Sequence, residues 1–505
     1  MSVRQRDAIL ALDLGTSSLK ALLVATDGRV LASSRHPYPT THPEPGFAEQ
    51  DPDDWWQATV AAVSAARDAG SVAAISVTGQ MHGTVLLDDA LRPLGPAIIW
   101  ADERSAQSAD DLTARLGAEQ IHRLCGSPLF AGVQAATLAW LRAEEPKRWQ
   151  KTRHVLLPKD WLAFRLTGTL ATEPSDAAGT LLFASEGRDW ASPILDALTL
   201  DRDWLPDVIP SGSVMGNLAR ETANDLGLPA ETPVILAGGD APCGAVAAGA
   251  RHPSRAIVLL STGAQVIQAA TDFTPDPTGR IHVWPAALPG SPRWNRMGAT
   301  LNAGLAVEWA HTISGFATSA DVLDAAADVP AGASGLLFLP YLIGERTPLM
   351  DADACGVLFG FGVSHGPPEI ARAVVEGITF SLSEALAAVT DGEEQPAEIL
   401  LGGGLARHSL WSRLLADGLG VPVRTLAVAD LSTYGAAMLA AHGLGWIDVL
   451  DPPAVWQQMG NPVAPNAEEH QRYRDQFAIA RELFQRTRPL SERVAALTEA
   501  RQVRQ

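Results

Sequence analysis

Cysteine is scarce: Cys125, Cys243 and Cys355 are the only three in a chain of 505 residues, and they stand far apart. That spacing supplies neither a disulfide framework nor a zinc pattern, and a reducing cytoplasm is the compartment expected. Positive charge is also short. Against 57 Asp and Glu there are 38 Lys and Arg, leaving a formal net charge of −19. Nucleic acid or an anionic membrane is therefore excluded as main partner, since either needs clustered positive charge. No uncharged apolar run approaches about 18 residues, so no membrane-spanning helix is expected. Arg4 and Arg6 precede an apolar stretch in the manner of a signal peptide, but Asp13 interrupts it early and no small-residue cleavage site follows.

What is present is ordinary globular material, 47% hydrophobic and 19% charged. Its length exceeds one core and fits two domains of roughly 200–250 residues each. The most informative stretch is Ala8 to Ala32. An apolar strand from Ala8 to Leu12 delivers Asp13 to its end, Gly15-Thr16-Ser17-Ser18 turn the chain, and a second strand runs from Leu19 to Val24. Asp27-Gly28 then turns it again, so the segment predicts an antiparallel meander. Small residues at the first bend let backbone N–H groups approach an anion, and three hydroxyls add donors. A carboxylate beside such a cradle suits hydrated Mg²⁺. Nucleotide phosphate with metal is one reading; an ordinary hairpin with a polar turn is the other.

Further along, acids and polar clusters recur beyond strand ends, where α/β proteins keep ligands. Asp53 and Asp54 open an amphipathic helix toward Ala69. One strand ends at Gln80-Met81-His82-Gly83 and another at Trp100-Ala101-Asp102-Glu103-Arg104. These donors and acceptors suit a polyol, although His82 reads equally as a core histidine and Asp102–Arg104 as a solvated pair. Thr172 to Thr180 reads as a polar loop. The strand Val234–Ala237 runs into Gly238-Gly239-Asp240, which makes Asp240 either a general-base candidate or a helix cap.

The second half restarts the theme. Ala256 to Leu260 is a strand, Ser261-Thr262-Gly263-Ala264 a small-residue bend, and Gln265 to Ala270 a return strand. The echo predicts an internal duplication in which two hydroxyl-and-glycine hairpins serve one nucleotide. Glu398 to Leu401 enters Gly402-Gly403-Gly404, followed by Ala406-Arg407. Three glycines there admit a base or phosphate against bare backbone, or simply make a tight connection. Pro368 to Ala387 and Glu468 to Arg488 read as long helices.

Taken together, Asp13-Leu14-Gly15-Thr16-Ser17-Ser18-Leu19-Lys20, Gly238-Gly239-Asp240, Ser261-Thr262-Gly263, Gly344-Glu345-Arg346-Thr347-Pro348 and Gly402-Gly403-Gly404-Leu405-Ala406-Arg407 resemble the FGGY family of carbohydrate kinases. The order holds up to about Gly445. Gln80-Met81-His82-Gly83, Trp100-Ala101-Asp102-Glu103-Arg104, Leu157-Pro158-Lys159-Asp160 and Ser175-Asp176-Ala177-Ala178-Gly179-Thr180 point within it to the ketopentose kinases.

The resemblance implies an α/β fold of two ribonuclease-H-like domains of the actin superfamily, flanking a nucleotide and sugar cleft. Its domains would be 1–248 on the sugar side and 249–450 on the ATP side, with a helical extension at 451–505. It implies a kinase for a terminal hydroxyl of a ketopentose, D-xylulose first, with ATP and Mg²⁺, in the cytoplasm. A homodimer is admitted rather than required. By motif, Asp240 would be the catalytic base and Asp13 the metal-holding acid. Met81, His82 and Asp102 would join Asp240 in holding sugar. Thr16, Ser17, Ser18 and Lys20 would face the phosphates with Ser261, Thr262 and Gly263, while Gly403, Gly404 and Arg407 would lie near adenosine.

Three positions depart from the family pattern. Ala241 follows the catalytic acid in place of Asn or Gln, the phosphate bend reads Ser-Thr-Gly-Ala rather than Gly-Thr-Ser-Gly, and Thr137 opens the Thr137-Leu138-Ala139-Trp140 element where the family's Lys-x-x-Trp has lysine. The first leaves ribulose, gluconate or an alditol as alternative substrates. A non-catalytic actin-like ATPase module and a phosphohydrolase are the rivals from other classes.

Overall fold

The computed structural model describes residues 8–288 and 294–502, with side chains up to Val494; Arg4 and Arg6 lie outside the described residues. It divides into two compact units that interleave along the chain. The first takes the chain up to Arg251, Thr271–Asn295 and Asp430–Gln458; the second takes His252–Ala270, Arg296–Ala429 and the chain from Met459.

The first unit is built on a six-stranded sheet. Its strands are β1 (Ala8–Leu14), β2 (Ser18–Ala25), β3 (Val30–Pro37), β4 (Val72–Gly79), β5 (Ser213–Asn217) and β6 (Pro233–Leu236). The spatial order is β3-β2-β1-β4-β6-β5. β1, β2 and β3 form the antiparallel meander, β4 and β6 run parallel to β1, and β5 closes the edge antiparallel. Every residue of β1 is buried, as a central strand covered on both faces requires. β3, at the edge, alternates between half-buried and exposed.

Helices cover this sheet. Asp51 caps Pro52–Ala66, accepting from Asp53 N at 2.9 Å, and proline pre-sets the first turn. The small-residue helix Leu431–Gly443 lies on the sheet because its sequence leaves room: Ser76 Oγ donates to Ala436 O at 2.8 Å, and a Cβ on Gly435 would strike the carbonyl of Cys243. That close approach is what draws Asp430–Gln458 into the first unit.

The second unit repeats the plan. Its strands β7 (Arg255–Leu260), β8 (Ala264–Ala270), β9 (Trp294–Thr300), β10 (Glu398–Gly402), β11 (Val423–Leu426) and β12 (Met459–Val463) follow the order β9-β8-β7-β10-β11-β12. β7 is antiparallel to β8 and parallel to β10, β10 is parallel to β11, and β12 is the antiparallel edge. Position for position these match β1/β2, β1/β4, β4/β6 and β6/β5. The duplication legible in two hairpins thus extends to two sheets, the ribonuclease-H-like pattern that the resemblance implies. Pro367–Val389, 23 residues long, and the C-terminal helix Ala467–Gln502 belong to this unit. Among the described residues no helix is long and apolar enough to cross a membrane.

Candidate active site

Register places the first acid. Asp13 lies opposite Lys20 across β1/β2 and beside Thr78 across β1/β4, one residue before β1 ends. Its carboxylate is 1% exposed. Oδ2 accepts from Ser432 Oγ at 2.7 Å, Lys20 Nζ at 3.3 Å and Thr433 Oγ1 at 3.4 Å, while Oδ1 is buried with no hydrogen-bond partner. Burial raises the Asp13 carboxyl, against the pull of Lys20. Lys20 also pairs with Asp430 at 3.0 Å. Burial would lower the ammonium, but Asp13 and Asp430 together raise it. Asp430 caps Leu431–Gly443 through Thr433 N; burial opposes its ionisation, yet Lys20 holds it below the usual carboxylate range.

The other hairpin residues divide. Thr16 is half-buried and Ser17 exposed at the bend, and Thr16 Oγ1 accepts from Trp100 Nε1 at 2.8 Å. Ser18 is buried, its hydroxyl accepting from Arg35 Nε at 2.8 Å.

Asp240 opens the helix Asp240–Ala248 after β6, with Gly239 as the cap residue. Its Oδ1 accepts from Ala241 N at 2.7 Å. Burial first, and the charge of Asp13 second, push its carboxyl up to about 7. An acid so placed carries or releases a proton near neutrality, as a general base must. The glycine before it lets Met81 pack close, because a Cβ there would lie 2.5 Å from Met81 Cγ.

Met81 is buried, and His82 holds a left-handed φ of 72°. His82 Nδ1 meets Gly179 O at 2.6 Å. A carbonyl only accepts, so Nδ1 carries the hydrogen and Nε2 presents a lone pair. Burial lowers the ring's pKa, keeping it neutral. Phe130 stands edge-on to it at 5.5 Å.

Asp102 is not a solvated pair with Arg104, as surface chemistry alone would have it. Both side chains are buried, 2.8 Å apart. Asp102 Oδ2 also accepts from Ala48 N at 2.6 Å, and Arg104 reaches Glu49 at 2.8 Å and stacks 3.7 Å over Phe47. Ionic and cation–π contacts bury Arg104 without leaving it uncompensated.

The polar loop expected at Thr172–Thr180 is instead a buried helix, Pro174–Gly179. Glu173 caps it, accepting from Asp176 N and Ser175 Oγ at 2.6 Å each and Ser175 N at 3.1 Å. Those polar residues face inward because Lys159 waits there, bonded to Asp160 and 3.2 Å from Asp176, all three with no exposure. One lysine cannot neutralise so many acids: burial raises both aspartates, Asp176 most. Asp176 Oδ1 has no hydrogen-bond partner and lies 3.2 Å from where a Gly239 Cβ would stand. Asp430, Ser432, Lys159 and Asp176 escaped the sequence reading of roles; the one local signal was the Asp430-Leu431-Ser432-Thr433 cap.

In the second unit, Ser261 and Thr262 are exposed at the β7/β8 bend, with Ser261 N donating to Gly263 O at 2.9 Å. Gly403 takes φ +97°, and a Cβ on it would lie 2.7 Å from Leu260 N. The triple glycine is thus pressed against the strand that carries Ser261. Gly403, Gly404, Ala406 and exposed Arg407 line one side of a cavity of about 320 Å³, with Thr425 to Ala429 on the other. That is room for a small planar ligand.

Known proteins share the sequence pattern and the fold. A family model described as the N-terminal domain of the FGGY family of carbohydrate kinases matches residues 8–247, and the C-terminal domain model matches residues 262–444. The xylulose kinase of Escherichia coli K12 is 36% identical over 485 residues, covering 95% of this chain and 99% of that protein. Among solved structures, a gluconate kinase from Lactobacillus acidophilus has a TM-score of 0.89 at 29% identity, covering 96% of this chain and 98% of its own. A ligand-bound xylulose kinase from the same organism also scores 0.89 at 29% identity, covering 95% and 98%. Backbone likeness therefore does not separate the two acceptor sugars.

Proposed function

The chain belongs to the FGGY family of carbohydrate kinases, and on that premise we propose that it transfers the γ-phosphoryl group of ATP to the terminal hydroxyl of D-xylulose. As a family member it is a phosphotransferase with an alcohol acceptor. The choice of sugar is supported by relatives named xylulose kinase at 32–36% identity over nearly the whole chain.

The observation that carries the mechanism is Asp240 at the start of a helix, directly after the Gly239 that abuts Met81, with a carboxyl raised to about 7. Asp240 accepts the proton of the sugar hydroxyl as its oxygen attacks the γ-phosphorus in line, contributing about 10²–10⁴-fold. His82 Nε2 accepts a second hydroxyl, Met81 packs against the sugar's carbon edge, and Asp102, its oxygens engaged by Ala48 N and Arg104, supports the sugar side by fixing those two residues. Thr16, Ser17, Ser18 and Lys20 serve the phosphates from one hairpin, and Ser261, Thr262 and Gly263 from the other. The cavity at Gly403, Gly404 and Arg407 takes adenosine.

Among the described residues no group of three or more His, Cys, Asp or Glu forms a metal cage. Asp13 nevertheless fits Mg²⁺, because its buried Oδ1 lacks a partner and Mg²⁺ takes few carboxylates and keeps waters. When bound there, Mg²⁺ would supply charge neutralisation for the transferring phosphate. Asp13 would hold the cation through Oδ1, and in the metal-free site its charge helps raise the Asp240 carboxyl.

A coupled ADP-release screen over ketopentoses, gluconate and alditols tests the reading. ADP release strictly dependent on sugar and fastest with D-xylulose supports it. Fastest release with ribulose, gluconate or an alditol overturns the substrate, and sugar-independent release overturns the kinase.

A further inference from the structure

The geometry points to Glu345 as a positioning residue for nucleotide binding: it fixes the backbone against which the Ser261–Gly263 bend rests. The inference rests on the reading of that bend as the phosphate contact. Glu345 is 2% exposed and both of its oxygens are spent on protein. Oε1 accepts from Leu301 N at 2.7 Å and from Arg346 N at 2.8 Å. Oε2 accepts from Asn302 Nδ2 and Ser381 Oγ, each at 3.4 Å. The same loop grips the same segment elsewhere. Asn302 Nδ2 donates to Gly344 O at 2.8 Å, Thr347 N donates to Ala299 O at 2.9 Å, and Ala299 N donates to Thr347 Oγ1 at 3.0 Å.

The segment so held, Ala299 to Asn302, leads directly into the backing of the phosphate bend. Gly304 N donates to Ser261 O at 2.9 Å, Leu305 N to Thr262 O at 2.9 Å, and Ala303 N to Thr262 O at 3.2 Å. Gly263 presses so close that a Cβ on it would strike the carbonyl of Thr300. A shift of Leu301 is therefore transmitted to Ser261 and Thr262. Glu345 touches no ligand in this arrangement, since its acceptors are committed. Removing it leaves the N–H of Leu301 without its acceptor and frees the segment to move.

Steady-state kinetics with ATP and D-xylulose varied separately, and calorimetric titration with ADP and Mg²⁺, test this in four variants. Glu345→Ala is expected to raise the KM for ATP and the Kd for ADP about tenfold, the loss of one charged hydrogen-bond acceptor, with the sugar KM within about twofold. Glu345→Gln keeps a carbonyl for Leu301 N and Arg346 N, and should stay within about threefold of wild type on the same scale. Asn302→Ala loosens the staple from its other side and should raise the ATP KM in the same sense; it decides the matter if Glu345→Ala does not fold. Thr262→Ala reads the bend itself. ATP and ADP constants unchanged in Glu345→Ala and Asn302→Ala, or sugar and ATP constants raised alike, while Thr262→Ala weakens ATP, overturn the role of Glu345 and leave the phosphate bend standing. ATP binding unaffected by Thr262→Ala overturns the phosphate reading, and this inference with it.

Discussion

Ser432 Oγ donates a 2.7 Å hydrogen bond to Asp13 Oδ2 across 419 positions of chain. The bond orients one carboxylate oxygen toward protein and leaves Oδ1 without a partner. Ser432→Ala should lower stability by about 1.5–3 kcal/mol, the worth of a hydrogen bond to a charged group, as measured by denaturant unfolding. It should also raise the Mg²⁺ concentration needed for half-maximal activity, because Asp13 is then held by Lys20 and Thr433 alone. Unchanged Mg²⁺ dependence would separate Ser432 from the metal.

Asp240 gives the pH dependence. Its carboxyl is raised from 3.8 to about 7, by burial and then by Asp13. The base must be ionised, so kcat/KM should fall as pH drops through about 7. Stability runs the other way. A raised acid stabilises the fold below its unfolded pKa of 3.8 and loses that contribution as pH rises through about 7. Asp240→Asn should therefore be inactive yet have a higher Tm than wild type above neutrality, with the difference shrinking toward pH 4. Thermal unfolding across that range, with ATP binding retained, checks both halves.

Gly239 leaves no room for a methyl. A Cβ would stand 2.5 Å from Met81 Cγ and 2.9 Å from its Sδ. Gly239→Ala should displace Met81, raising the sugar KM at least tenfold and costing about 1–3 kcal/mol as overpacking does. The ATP KM should move less than twofold; an equal rise in both would contradict the assignment of Met81 to the sugar.

Lys159 is the one cation touching Asp160 and Asp176 among the described ion pairs. Lys159→Met should destabilise by about 3–5 kcal/mol, the cost of stranding buried charge. Both aspartates already have raised pKa values, so they regain neutrality as pH falls. The variant's Tm should accordingly recover toward that of wild type as pH falls, by differential scanning calorimetry; no recovery would contradict the charge account.

Local pattern made part of this legible. The β1/β2 hairpin with an acid at its bend, its echo at β7/β8, and the Gly402–Gly404 turn were all visible as apolar runs stopping at small residues. What sequence concealed depends on distance along the chain. Thr172 to Thr180 is rich in polar residues, and only the buried Lys159 explains why it forms an inward-facing helix. Arg104 and Asp102 look like surface charges until Phe47 and Ala48 are seen to cover them. Asp430 and Ser432 reach Asp13 because Gly435 lets one helix ride on another, a packing fact with no local signature.

The most direct measurement follows phosphorus through the reaction by ³¹P NMR, with ATP, Mg²⁺ and D-xylulose supplied together. The prediction is one sugar phosphomonoester, D-xylulose 5-phosphate, appearing in step with ADP and failing to appear with Asp240→Asn. ADP accompanied by inorganic phosphate, or a sugar phosphate formed equally well by Asp240→Asn, would contradict it.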